Sequence, residues 1–266
     1  ISASMLSELN KVEALVNNDE MREKLDDWKK RFNDIKDKEM PKITETINEI
    51  EELFEEKNFK ELKGLVLKAD FDLNTLKTKA SFLLDEIKDV TLSEERNRET
   101  ITKLKAEYRE VLSTYKEFED EYEIVKVPLE LQFENVDKLF TAFESSMEAN
   151  AYTEVGKIVK AIADVISNLK VIIDEARPIV TLGKNLIPKK EEDIKNIADK
   201  MTREGYNLEY LNIDYNINEA NKKIQDIFQR LNVLNVEDSL FELKTMHDYF
   251  DSLYSDFDKE RYSKKI

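Results

Sequence analysis

Apolar residues recur at steps of three and four along almost the whole chain, and charged residues fill the positions between them. The pattern is clearest from Ser93 to Ala149, on both sides of Pro128. A heptad pattern of this kind is typical of a helix that packs along one apolar stripe. The stripe shifts in phase after Pro128, which turns it to a new face of the helix. The pattern therefore predicts one continuous helix over 93–149, shared by two neighbouring helical bundles.

The same periodicity predicts further helices on both sides of this stretch. They cover 5–16, 19–57 with a bend at Pro41, 60–90, 152–185, 188–234 with a weak point at Gly205, and 236–262. Asn17–Asp19 ends the first helix and can cap the second, and Ser93 is the predicted N-cap of the long helix. The helix over 152–185 is predicted to begin to terminate at Gly183. Trp28 and Phe32 lie on an apolar stripe, so we interpret them as core rather than as an exposed docking patch.

The stripe also repeats along the chain. A shift of 93 positions places 43–122 on 136–215, together with the turn at Asn58. A shift of 84 continues the match from 133–173 onto 217–257. Heptads alone match at multiples of seven, and 93 is not such a multiple, so we interpret the match as an internal repeat. It predicts that Tyr122 and Tyr215 occupy equivalent places.

These patterns predict an all-α fold, an elongated array of antiparallel three-helix bundles that share long continuous helices. The predicted bounds are an N-terminal helical segment at 1–39, repeat 1 at 40–132, repeat 2 at 133–216 and a partial repeat 3 at 217–266. The partial repeat is a helical hairpin without a third helix. Its apolar face is therefore expected to need another partner, either more chain or a second copy.

Composition agrees with this picture and excludes several function classes. The 266 residues include only four glycines and four prolines, so few turns can be built. The net charge of -16 disfavours binding to nucleic acid, and an anionic membrane surface would repel the chain as a whole. The chain has no cysteine, which excludes disulfides and thiol nucleophiles. No apolar run reaches the length of a transmembrane helix, and the start lacks the features of a signal peptide, so we expect an excised fragment.

No group of residues in the sequence indicates catalysis or metal binding. His247 is the only histidine, with Asp248 and Asp251 nearby, and a chain with one histidine and no cysteine disfavours a closed zinc site. The acidic pairs lack the loop of an EF-hand, the glycines are isolated, and no serine has a partner histidine for a triad. We predict no enzyme, no cofactor, and no catalytic, cofactor-binding or metal residue. Short basic clusters are interpreted as ordinary surface: Lys29–Arg31, Lys189–Lys190, Lys222–Lys223 and Lys264–Lys265.

Two segments carry a resemblance to a known family. The segment Leu25–Phe32, followed by Met40, Pro41 and a glutamate-rich helix, resembles the start of the cytoplasmic region of the septation ring regulator EzrA of Gram-positive bacteria. The segment Arg230–Phe241 and the repeated helical units look like the same family. The resemblance covers the whole chain, as the N-terminal part of a cytosolic rod built from spectrin-like repeats.

The resemblance implies a cell-division regulator with one transmembrane helix before the rod, absent from this chain. It implies a location at the cell membrane, on the cytoplasmic side and enriched at the septum. The implied partners are the tubulin-like protein FtsZ, whose ring assembly the family restrains, and other division and cell-wall synthesis proteins. Self-association stays open as well. The alternative is a purely structural spectrin-like spacer or scaffold without direct polymer regulation.

Overall fold

The structure, a computed structural model, describes residues 2–265, and these residues form helices joined by short turns without any strand. The prediction of an all-α fold is thereby confirmed. The α-helices have the following bounds: α1 Ser2–Leu15, α2 Asp19–Asp34, α3 Met40–Glu55, α4 Phe59–Glu117, α5 Lys126–Glu148, α6 Tyr152–Val180, α7 Ile187–Arg203, α8 Ile213–Leu231 and α9 Ser239–Lys265.

Two π-helical segments keep neighbouring α-helices continuous. Ile35–Glu39 joins α2 to α3, and Thr181–Leu186 joins α6 to α7. A proline follows each segment, Pro41 in α3 and Pro188 in α7. Proline lacks an N–H and clashes with the carbonyl of the preceding turn, and a wider π turn accommodates both effects. The sequence prediction of a helix break between 185 and 188 is therefore wrong.

Gly183 serves close packing and does not end a helix as predicted. A Cβ atom at this position would lie 2.7 Å from the Phe228 ring of α8. The missing side chain thus lets α8 approach the π-helical segment closely.

The prediction of one continuous helix over 93–149 is wrong. The α-helix is interrupted between Glu117 and Lys126, and it is not interrupted before Ser93. The 59-residue helix α4 runs through Ser93, which is therefore no N-cap, and ends at Glu117. Phe118 leaves the helical conformation, and Glu119–Val125 forms a 3₁₀-helix before α5 begins. Pro128 then lies in the first turn of α5, where a backbone N–H has no partner within the helix to lose.

The predicted helix over 188–234 is also wrong, because it is interrupted between α7 and α8. α7 ends at Arg203, and Gly205 and Asn212 have φ angles of 88° and 49°. The equivalence of Tyr122 and Tyr215 fails for the same reason. Tyr122 is 1% exposed within the 3₁₀-helix, whereas Tyr215 is 65% exposed on α8.

Four helix ends share one motif, in which a residue with positive φ follows the last helical turn. The amide of the residue directly after it donates back to a carbonyl five residues earlier, as in a Schellman motif. These hydrogen bonds join Asn58 to Leu53, Ala151 to Ser146, Tyr206 to Met201 and Asn235 to Arg230, at 2.9–3.0 Å. The positive-φ residues are Lys57, Asn150, Gly205 and Leu234.

The chain forms two compact units, to both of which α4, α5 and α6 contribute. The first unit combines residues up to 103 with 140–160, and the second combines 104–139 with the residues from 161 onward. The repeat bounds predicted from the sequence divide the chain differently, and they stay a prediction.

In the first unit, α1 covers the core that α2 and the first half of α4 build. Trp28 and Phe32 are 6% and 7% exposed, so their assignment to the core is confirmed. The Trp28 Nε1–H donates to Glu86 at 3.2 Å, and Arg31 pairs with the same carboxylate at 2.7 Å. The hydrogen bond from Arg31 lowers the pKa of Glu86.

A network of asparagines fixes two turns of the first unit to each other. The Asn17 N–H donates to Asn150 Oδ1, and Asn150 Nδ2 donates to the Leu15 carbonyl, both at 2.7 Å. Asn18 accepts the Met21 N–H at 2.8 Å, as the predicted cap of α2, and its amide donates to the Ala149 carbonyl.

The second unit has two groups of three helices, α4 with α5 and α6, and α7 with α8 and α9. Tyr108 of α4 donates to the Phe133 carbonyl of α5 at 3.1 Å, and Lys170 of α6 pairs with Glu107 of α4 at 3.3 Å. Helices α7, α8 and α9 pack together farther along the chain. Leu243, Phe250 and Phe257 of α9 are at most 1% exposed. The expectation that this last hairpin needs a further partner for its apolar face is therefore wrong, because α7 covers it.

Candidate interaction surface

An uncovered apolar surface lies on the hairpin formed by α3 and the start of α4. No residue of α3 is buried. Six apolar side chains, spaced by seven in each helix, are 39–64% exposed along this hairpin, and we call this surface the open groove. Its residues are Met40, Ile47 and Phe54 of α3, and Phe59, Val66 and Leu73 of α4.

The open groove continues a side of the first unit that α1 covers. Met40 and Leu73 line a pocket together with Ser2 and Met5 at the start of α1. Beyond that pocket no described helix lies over the hairpin, and Phe54 and Phe59 meet at its tip with their ring centroids 6.5 Å apart. The hairpin thus lacks a third helix over its outer part.

The hairpin of α5 and α6 shows what the repeat looks like when it is covered. The shift of 93 places Met40, Phe54 and Leu73 on Phe133, Met147 and Ile166, which are at most 8% exposed. Phe140, Tyr152 and Val159 occupy the other three positions and are half-buried. One sequence pattern therefore has a covered form and an open form, and the open form leaves apolar area free for a partner.

Opposite charges border the two sides of the open groove. Glu51 and Glu55 follow Ile47 by one and two helical turns on α3, and both are exposed. Lys60 and Lys63 adjoin Phe59 on α4, and both are exposed as well. None of these four side chains has an ion pair within residues 2–265. Near the tip of the hairpin, the groove therefore has two glutamates on its α3 side and two lysines on its α4 side.

Glu191 in the second unit is a buried acid that sequence reasoning missed. It is 8% exposed, and burial raises the pKa of its carboxyl to about 7. The Asn221 amide, oriented with its nitrogen toward this residue, donates to the carboxylate at 3.0 Å. Glu191 occupies a stripe position of α7, and only its flanking apolar residues could have indicated burial. Asn221 satisfies the carboxyl, and nothing beside it suggests chemistry.

His247 lies on the flank of α9, as predicted. His247, Asp248 and Asp251 bring potential metal-ligating atoms together within 4.8 Å. The Asp251 carboxylate, however, accepts a hydrogen bond from Lys190, which also lowers its pKa. The lysine ammonium places a positive charge where a cation would bind, so this group favours an ion pair over a metal site.

The basic clusters behave as ordinary surface. Lys29 pairs with Glu13 at 3.1 Å, and Lys222 pairs with Glu219 at 3.1 Å. Lys264 donates to the Glu204 carbonyl at 2.8 Å. Each cluster therefore has an acidic or carbonyl partner close by.

Comparison with known proteins decides the family. The family model "Septation ring formation regulator, EzrA" matches residues 2–266. The chain belongs to the EzrA family. Proteins of that printed name from Geobacillus sp. strain WCH70 and Bacillus licheniformis are 24% and 22% identical to it, over 95% and 98% of its length. Their counterpart from Staphylococcus epidermidis is 23% identical over 92% of the chain.

The chain spans less than half the length of these EzrA relatives, 44–46%. No solved structure matches it. Among residues 2–265, none of the helices combines the length and the apolar character that crossing a bilayer requires. The printed description of the family is that of a regulator of septation ring formation, which is a role in cell division.

Proposed function

We propose that this chain is part of a membrane-anchored regulator that binds FtsZ and restrains assembly of its ring, which coordinates septation. The observation that carries the proposal is the match to the EzrA family over residues 2–266. In this proposal the anchor is a transmembrane helix outside the chain. The protein then lies at the membrane on the cytoplasmic side, is enriched at the septum, and meets other division and cell-wall synthesis proteins there.

The proposed regulator acts by contact and is not an enzyme. The buried acid Glu191 has an asparagine partner, and the cluster around His247 contains an ion pair to Lys190. Long helices with an open apolar groove instead provide surface for other proteins, which is how a regulator of polymer assembly would act.

Sedimentation of FtsZ polymers tests the proposal. Purified chain is mixed with FtsZ and GTP over a range of ratios, and the pelleted fraction of FtsZ is measured. We expect the pelleted fraction to fall as the chain is added. An acidic protein of similar size serves as the control for nonspecific charge effects, and the chain alone controls for its own sedimentation.

An unchanged pellet at every ratio would contradict direct regulation by this part of the protein. It would favour the alternative, a spectrin-like spacer whose function is to hold other elements apart. A fall in the pellet with the acidic control protein as well would contradict a specific contact.

A further inference from the structure

We propose that the outer side of α4 is a self-association site, on which the same side of a second copy packs in the antiparallel direction. A stripe of apolar and small residues runs along this side, and we call it the outer stripe. Its residues are Gly64, Leu67, Phe71, Thr75, Thr78 and Phe82. The proposal rests on this stripe alone and depends neither on FtsZ binding nor on the open groove.

Within residues 2–265, no packing accounts for the outer stripe. Leu67, Phe71 and Phe82 are 63%, 71% and 64% exposed. Phe82 follows the buried Ala80 by two positions, about 200° around the helix, so it points away from the core that α1 and α2 share with α4. Phe71 likewise precedes Leu73 of the open groove by two positions. The helices α1 and α2 therefore do not stand between the outer stripes of two copies.

The repeat shows that the fold does not need apolar residues on this side of the helix. The shift of 93 that matches the packed positions of α4 and α6 places Gly64, Leu67, Phe71 and Phe82 on Lys157, Lys160, Asp164 and Glu175. The corresponding side of α6 is therefore charged, as is usual for a helix face in water. An apolar side of α4 consequently indicates contact with another molecule rather than a requirement of folding.

One antiparallel register makes the outer stripe complementary to itself. A two-fold axis perpendicular to α4 then passes between Asn74 and Thr75, and Leu67 lies in one layer with Phe82 of the second copy. Phe71 lies opposite Thr78 of the second copy, whose hydroxyl donates to the Asn74 carbonyl of its own helix at 3.0 Å. Covering this threonine therefore leaves no hydroxyl without a partner. Two-fold dimers use the same patch of both copies in this way.

Charges at the two ends of the stripe select an antiparallel second copy. The same register places Lys60 beside Asp89 of the second copy, and Glu61 beside Lys88 of the second copy. Lys60, Glu61 and Asp89 are exposed, and Lys88 is half-buried. Parallel packing would oppose each of these residues with itself, which is unfavourable. A shift by one heptad would separate both pairs, so the charges also fix the register.

The size of the contact predicts a reversible dimer. The stretch from Lys60 to Asp89 is about 45 Å long, and one face of a helix is about 10 Å wide. The contact therefore covers roughly 450 Å² per copy, which is below the ~800 Å² per partner of a standard stable interface. The dimer is thus expected to form as the concentration rises.

Analytical ultracentrifugation over a wide concentration range tests self-association. The unmodified chain should shift from the monomer mass toward the dimer mass as its concentration increases. Phe71→Lys should raise the dissociation constant at least tenfold, because it places a charge in the contact. The matched control is Phe241→Lys, since Phe241 lies on α9 in the second unit and is 73% exposed, against 71% for Phe71. This control should dimerise like the unmodified chain.

Three outcomes of this experiment would overturn the proposal. The first is a strict monomer at all concentrations. The second is equal weakening by Phe71→Lys and Phe241→Lys, because the contact would then not be specific to α4. The third is weakening by Val66→Lys but not by Phe71→Lys, because Val66 lies in the open groove. All three positions are exposed, and circular dichroism should show the same helix content for every variant.

Crosslinking tests the direction and the register, and the absence of cysteine makes this experiment clean. Asn74→Cys places a thiol next to the two-fold axis, so a bismaleimide about 10 Å long, the spacing of packed helices, should give a covalent dimer. Gly64→Cys should stay monomeric, because its two thiols would lie about 31 Å apart along the helices. Crosslinking of both variants would contradict the antiparallel direction, and the absence of a crosslink in Asn74→Cys would contradict the register.

Exchange of charges tests the ends of the stripe. Lys60→Asp should raise the dissociation constant at least threefold, because it opposes Asp89 of the second copy, and Asp89→Lys should do the same by opposing Lys60. The double variant that carries both changes should dimerise like the unmodified chain, since each end again meets its opposite charge. A double variant that dimerises no better than the single variants would contradict the pairing of these ends.

Discussion

Lys57 and Asn150 lie 93 positions apart and adopt the same left-handed backbone conformation, with φ angles of 58° and 54°. Each follows the last turn of a helix, α3 or α5, and each precedes the same amide-to-carbonyl hydrogen bond. The repeat read from the sequence is therefore present at its turns. The two residues differ in their side-chain contacts, because Lys57 is exposed and Asn150 is 9% exposed in a hydrogen-bonded network.

This difference predicts opposite effects of glycine at the two turns. Lys57→Gly should stabilise the chain by roughly 0.5–1 kcal/mol, because glycine adopts positive φ without strain. Asn150→Gly should destabilise it by about 2 kcal/mol, because the Asn17 N–H and the Leu15 carbonyl lose their partner. Urea unfolding measures both changes. Effects of the same sign would contradict this explanation of the two turns.

The packing of α1 predicts a large effect at Leu9 and a small one at Leu6. Leu9 is 2% exposed in the core of the first unit, whereas Leu6 on the same helix is 50% exposed. Leu9→Ala should lower the free energy of unfolding by about 2–4 kcal/mol. The emission of Trp28, the only tryptophan, should shift to the red as water reaches it. Leu6→Ala is the control, and an equal loss of stability from it would contradict the placement of α1.

The burial of Tyr122 predicts that its substitution lowers the stability of the chain, whereas substitution of Tyr215 should not. The Tyr122 hydroxyl donates to the Ile173 carbonyl at 2.7 Å, so Tyr122→Phe removes a buried hydrogen bond. The expected decrease in the free energy of unfolding is about 1 kcal/mol. Tyr215→Phe alters an exposed side chain and should change stability very little. Thermal unfolding of both variants checks this, and equal effects would restore the equivalence predicted from the sequence.

The raised pKa of Glu191 predicts a pH-dependent contribution to stability. Because the pKa of about 7 in the folded chain exceeds the ordinary 4.5, the folded chain binds this proton more tightly than the unfolded chain. The contribution is complete below pH 4.5 and is lost as the pH rises through 7. Glu191→Gln should thus be more stable than the unmodified chain at pH 8, by roughly 1–2 kcal/mol, and similar to it at pH 4.5. A constant difference across this range would contradict the burial of the acid.

The periodicity of the sequence was enough to predict the helical class, the turns at Lys57 and Asn150 and the core position of Trp28. It could not locate the ends of the long helices. Heptads continue through Phe118 and Tyr122 because the 3₁₀ segment there keeps its apolar residues buried. Proline was misleading at 188, since the preceding π turn accommodates it without a break.

The open groove could not be predicted from the sequence either. Phe54 and Val66 follow the same apolar pattern as Met147 and Val159, and a stripe shows only that a residue suits a packed face. Whether a third helix covers that face depends on contacts between segments far apart in the sequence. The repeat pattern predicts an uncovered hairpin at 217–266, whereas the structure has it at α3 and the start of α4.

Hydrogen exchange measured by mass spectrometry on dilute chain tests the central claim most directly, because it compares two equivalent helices. We claim that one repeat pattern is open at α3 and covered at α5. Backbone amides of Ile43–Phe54 should exchange at least tenfold faster than those of Val136–Met147. Equal protection of the two segments would contradict the claim, since α3 would then be as well covered as α5.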